Sequence, residues 1–169
     1  MTKPETTEYA TYFGRYISLV PDGNIVATLE QQNKATLELL GGLSEEQGIY
    51  RYAPGKWSIK EMVGHLIDTE RVFAYRALCF ARNDKTPLAS FEQDDFVAGA
   101  DFDSLRLADL ADEFAIVRQS NVYLFRHLSD EAWSRRGSAS GNEMSTRAAA
   151  FIIAGHELYH LDVLKTRYL

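Results

Sequence analysis

Residues Ala150–Leu164 read AFIIAGHELYHLDVL, and inside this stretch His156-Glu157-Leu158-Tyr159-His160 spells HExxH. Residues four apart on a helix differ by ~40° in azimuth and one turn in height, so His156 and His160 can direct their imidazoles to one point, as zinc-binding helices require. The flanking residues are mostly apolar, with Ile152, Ile153 and Val163 on the same face. Buried imidazoles need partners, which favours ligation over two polar residues on an ordinary helix. The letters are those of a zinc protease, but such enzymes usually take a third ligand from downstream, and only LDVLKTRYL follows His160. Asp162 lies ~200° round the helix from His160 and cannot join the same centre. A third ligand therefore comes from upstream, and its source constrains the fold.

Apolar residues recur at helical spacing in four stretches, and none alternates as a strand between tight turns, so an all-α chain is expected. After the turn-like VPDGN, Ile25, Val26, Leu29, Leu37 and Leu40 form one stripe that stops at Gly41-Gly42. In SIKE, Ser58 and Glu61 make a capping box for a second helix, which buries Ile59, Met62, Leu66, Phe73 and Ala77 and ends near Arg82. Asp103 or Ser104 is expected to cap the third, with stripe Leu107, Leu110, Phe114, Val117, Leu124 and Leu128, before an extra turn at LSDEAW. Ser145 or Thr146 caps the fourth, which carries the histidine pair. The connections are long for a bundle, roughly 15, 20 and 15 residues, as expected of segments that cross the bundle or cover a site.

His65 sits about seven residues from the start of the second helix, and His160 about seven from the end of the fourth. At ~1.5 Å rise per residue, the two reach one height only if those helices are antiparallel. An up-down-down-up order satisfies this, and the connection NDKTPLASFEQDDFVAGADFD is long enough to run the length of the bundle between parallel second and third helices. His127, at the end of the third helix, suits a helix C-terminus better than a ligand role.

With 169 residues, 46% hydrophobic content and 2 Trp, 9 Tyr and 9 Phe, the chain is expected to form one domain over residues 1–169 with a substantial core. A net charge of -6 without basic runs argues against nucleic acid and anionic lipid as partners. No apolar run approaches the ~20 residues of a membrane span, and the start has no basic-then-apolar leader, so a cytoplasmic protein is expected. Cys79 is the single cysteine, which excludes an internal disulfide and a cysteine zinc site. It lies ~21 Å along the helix from His65 and is expected in the core.

Three segments, PGKWSIKEMVGHLIDTER, FEQDDFV with the following ADFD, and AFIIAGHELYHLDVL, taken in order and spacing, resemble the DinB-like superfamily of metalloenzymes over nearly the whole chain. The resemblance implies a four-helix bundle and a divalent metal held by three histidines, one from the second helix and two from the fourth. By motif these are His65, His156 and His160. Characterised relatives include thiol S-transferases and a mycothiol-dependent isomerase, so a low-molecular-weight thiol is implied as a possible co-substrate.

Three neutral imidazoles leave zinc or nickel an open position for water or a thiol, which admits thiol transfer or hydrolysis of a small molecule. Glu157 is the candidate base by analogy with HExxH enzymes, although its azimuth also suits solvent or a neighbouring helix. Asp94 and Asp95 are candidates to orient a histidine or the substrate, from a loop. Gln32 or Asn33 can point into the metal cavity; Tyr159 suits the core, and Trp57 a hydrophobic plug. Arg71 and Arg76 suit an anionic group or salt bridges. The alternative to an enzyme is a non-catalytic helical protein with a structural or vestigial metal, interacting through a homodimer face.

Overall fold

Each long helix starts where a side chain can satisfy its first free N–H groups. In the computed structural model, which describes residues 2–169, the four long helices are α1 (Ile25–Gly41), α2 (Ile59–Ala81), α3 (Leu107–Arg126) and α4 (Thr146–Val163). Asn24 accepts from Val26 and Ala27 at the head of α1. At α2 the capping box forms as expected: Ser58 Oγ accepts from the Glu61 N–H at 3.0 Å, and the Glu61 carboxylate accepts from the Ser58 N–H at 2.7 Å. Ser145 Oγ caps α4 through the Ala148 N–H.

The start of α3 differs from the expectation. Neither Asp103 nor Ser104 caps it, because both lie in a separate turn, Phe102–Ser104. Asp103 instead accepts from Ser58 Oγ at 2.6 Å and from Arg51 at 2.7 Å. The Leu107 N–H is met by Glu45 Oε1 at 2.8 Å, from the connection between α1 and α2. A carboxylate distant in sequence thus does the work of a local cap, and sequence spacing gives no sign of it.

The side-chain pairs fix the helix directions. Gln32 bonds Ala154 and Thr36 bonds Glu157, so α1 and α4 run parallel. Glu30 near the start of α1 pairs with Arg126 at the end of α3, and Leu40 at the other end of α1 clusters with Leu107 and Leu110 at the start of α3, so α1 and α3 are antiparallel. Glu45 joins Lys60 to Leu107, which sets the starts of α2 and α3 side by side. Arg135, whose carbonyl accepts from the Thr146 N–H at the start of α4, donates to the Ala81 carbonyl at the end of α2, while His65 meets His156, so these helices are antiparallel. The order is up-down-down-up.

A two-stranded antiparallel hairpin corrects the expectation of a strandless chain: β1 (Arg136–Ala139) pairs with β2 (Asn142–Ser145) in the register Arg136↔Ser145 to Ala139↔Asn142. Four residues per strand are too few for a legible alternation. The turn residues Ser140 and Gly141 have φ of 54° and 74°, the two left-handed positions that a type I′ turn needs. Leu88 is stitched to the hairpin through bonds with Ser138 and Ser140. Gly137 is required by packing, since a Cβ there would lie 2.1 Å from the Phe80 ring.

Two apolar clusters fill the bundle. One gathers Phe80, Phe125, Trp133 and Phe151; the other, Ile59, Met62, Leu66, Leu110 and Phe114. Cys79 belongs to the first, as expected. The helix Gly14–Ile17 packs on α4 through Gly155, where an added Cβ would stand 2.1 Å from the Tyr16 carbonyl oxygen. Backbone cannot yield as a side-chain tip can. Gly155→Ala is therefore expected to lower the unfolding free energy by about 1–3 kcal/mol in chemical denaturation, and an unchanged midpoint would show that the two elements do not pack this closely.

Candidate metal centre

Among the described residues, His65, His156 and His160 form a group whose ligand atoms all lie within 4.8 Å of one another. His156 Nε2 stands 3.0 Å from His65 Nε2 and 3.1 Å from His160 Nε2. Helical phase brings the last two together, and the antiparallel crossing of α2 and α4 supplies the third. Burial keeps the imidazoles uncharged at neutral pH. It lowers His65 to about 3, with the neighbouring His160 adding to the effect, and His160 to about 4. His156 is lowered by the same cause and by both neighbours.

Neutral imidazoles with converging lone pairs suit a divalent cation. Zinc–nitrogen bonds of ~2.0–2.1 Å allow nitrogens on one ion to stand up to ~4.2 Å apart, and the 3.0 and 3.1 Å separations fall within that limit. Thr69 Oγ1 lies 3.4 Å from His65 Nδ1, the other ring nitrogen. Trp57 lies against His65 with ring centroids 4.7 Å apart, so the expected plug covers a candidate ligand. Tyr16 packs edge-on against His156 at 5.3 Å.

Glu157, the candidate base, is turned into the bundle. It is 1% exposed; Thr36 Oγ1 donates to one oxygen at 2.5 Å and Arg118 Nη1 to the other at 2.7 Å. Burial raises its pKa, and Arg118 and Thr36 offset part of that. Arg118 also makes two 2.7 Å bonds to Glu70, through Nε and Nη2, and Asn121 donates to Glu70 at 3.1 Å. Two carboxylates thus share one guanidinium in a buried layer next to the histidines. Their formal charge favours a cation at that level.

A cavity of about 300 Å³ opens beside the group, with His65 and His156 in its wall. Asp94 is part of that wall; Asp95 is exposed and is not. Both lie in a short helix, Gln93–Gly99, where a loop was expected. Gln32 and Asn33 do not reach the cavity: Gln32 donates to the Ala154 carbonyl at 3.0 Å. Tyr159 is 39% exposed, not core, because it stands at the open side of α4 against Tyr16 and His160. Arg71 pairs with Asp68 and Glu113. His127 is exposed at the end of α3. The sequence reading missed the aromatic wall supplied by Tyr12, Phe13 and Tyr16. The four-residue spacing of Tyr12 and Tyr16 was its only signal.

Fold and site together define a class: four-helix bundles of up-down-down-up order with three histidines gathered where the second and fourth helices cross. The chain belongs to the DinB superfamily, whose family model matches residues 28–164. Its structure is similar to that of YfiT from Bacillus subtilis, described as a probable metal-dependent hydrolase with an unusual four-helix bundle topology. The TM-score is 0.71 at 15% identity, over 96% of this chain and 89% of that one. It is also similar to a mycothiol-dependent maleylpyruvate isomerase, with a TM-score of 0.69 at 12% identity over 86% of this chain. This chain spans 62% of that enzyme's length. No curated protein matches the sequence. Among the described residues no helix is long and apolar enough to cross a membrane.

Proposed function

We propose that the chain is a metal-dependent enzyme in which His65, His156 and His160 hold one divalent ion, zinc or nickel, and that it acts on a small molecule by thiol transfer or hydrolysis. One observation carries this reading: three uncharged imidazoles converge, and two of them, His65 and His156, stand in the wall of an open cavity of about 300 Å³. A purely structural or vestigial site has no need of that access. A divalent ion supplies Lewis acidity, which brings water or a thiol into the range where it ionises near neutral pH.

The chain's own residues then divide the work. His65 and His156 present the reacting side, while Phe13, Phe73 and Phe91 give the cavity apolar walls that limit water. In this reading Glu157 is a positioning residue, since both of its oxygens are engaged by Thr36 and Arg118. Proton transfer falls to the cavity side, where Glu92 and Asp94 stand at the exposed rim. The descriptions of the two structural neighbours favour hydrolysis and thiol chemistry respectively.

Metal analysis of the purified protein is the test. The wild type is expected to carry about one divalent ion per chain, and His65→Ala to carry almost none. Metal-loaded protein should then consume a low-molecular-weight thiol with an electrophile, or cleave simple esters or amides, and chelation should stop the reaction. Equal metal content in the wild type and His65→Ala would sink the proposal.

A further inference from the structure

A buried cation, Arg76, lines the same cavity as His65 and His156. Thr69, Phe73 and Arg76 follow His65 along one face of α2, and all four line the cavity. Eleven residues of helix amount to ~16 Å of rise with a residual turn of only ~20°, and helical side chains lean toward the N-terminus, which points Arg76 back toward His65.

Arg76 is 3% exposed, yet no carboxylate pairs with it among the described residues. Its Nη2 donates to the Ala89 carbonyl at 2.9 Å and to Ser140 Oγ at 3.0 Å. Among the described residues, its Nε and Nη1 have no protein acceptor. The rings of Phe73 and Phe91 lie 4.9 and 5.9 Å from the guanidinium carbon. Burial lowers the pKa of the group, and no neighbouring acid offsets it. A buried cation without a counter-charge is costly unless something brings one. Arg118, the other deeply buried arginine, has two carboxylates.

We infer that Arg76 is the anion-binding end of the substrate cavity and takes the carboxylate of a small organic acid whose apolar body lies between Phe73 and Phe91. A carboxylate fits better than phosphate, because Glu92 and Asp94 at the rim repel a multiply charged anion, and the ring walls suit an apolar body. The role as substrate anchor rests on the proposed function; the carboxylate site itself does not.

The test is calorimetric titration of the full chain with 4-phenylbutyrate and with its uncharged amide, in EDTA so that no metal can ligate the carboxylate. Metal binding is thereby removed from the outcome, and a failure here is distinct from a failure of the metal reading. The carboxylate is expected to bind roughly tenfold or more tightly than the amide. Arg76→Gln should erase that preference, Arg76→Lys keep part of it, and Arg71→Gln on the same helix keep all of it. The wild-type comparison needs no variant, so it stands even if Arg76→Gln folds poorly. Equal binding of acid and amide, tighter binding of inorganic phosphate than of the acid, or no saturable binding of the acid up to about 10 mM would overturn the assignment.

Discussion

Arg118→Met is expected to remove about 3–5 kcal/mol from the unfolding free energy, read as a lower midpoint in urea. Arg118 is 1% exposed and holds Glu70 with two 2.7 Å bonds and Glu157 with one. Without the guanidinium, two carboxylates face each other in a buried layer between the apolar clusters. The cost is that of uncompensated buried charge, not of a lost contact. Neutralising both acids in the triple variant Arg118→Met/Glu70→Gln/Glu157→Gln should restore a good part of the loss. A loss below about 1 kcal/mol in the single variant would mean that the layer is not dry.

Metal binding should disappear from the thermal stability of His156→Ala. Zinc or nickel at 100 times its dissociation constant adds about 2.7 kcal/mol to a protein that binds it only when folded. For a chain of this size that is a rise in Tm of roughly 5–11 °C. His156 is the central member of the proposed site, with one Nε2 neighbour at 3.0 Å and another at 3.1 Å. Its removal leaves a pair that cannot close a three-nitrogen site, so the variant should show almost no shift. Glu157→Gln gives the contrast: it weakens the buried layer, so basal Tm falls, but the metal-induced rise persists. An undiminished rise in His156→Ala would remove that residue from the site.

Both results turn on polar residues that occupy apolar register. On α1 the buried positions run Leu29, Gln32, Thr36, Leu40; on α2, Leu66, Glu70, Phe73; on α3, Phe114, Arg118, Asn121, Phe125; on α4, Ile153, Glu157, Leu161. Each helix breaks its stripe with polar residues, and Thr36, Glu70, Arg118 and Glu157, one from each helix, join in one hydrogen-bonded layer. That interruption is visible in each helix alone. What it means is not, because a lone Glu in an apolar stripe reads equally as a base, a ligand or half of an ion pair. The sequence reading passed over Arg118 for Val117, its half-buried neighbour.

Local rules sufficed for much of the molecule. The caps at Ser58 and Ser145, the stop at Gly41 and the 3.6-residue stripes follow from interactions within a turn or two of chain, and these made an all-α bundle legible. Requiring His65 to meet His160 made α2 and α4 antiparallel, and the long connection between α2 and α3 agreed with an up-down-down-up order that satisfies it. The cap of α3 by Glu45, the partner of Glu157 and the uncompensated charge of Arg76 depend on groups at least 13 residues away, 39 in the case of Glu157 and Arg118. Charge and hydrogen bonding act through space, with no period along the chain to announce them. The sequence by itself determined where metal ligands could converge; only the packing of the helices decided which polar neighbours face the cavity and which are spent inside the core.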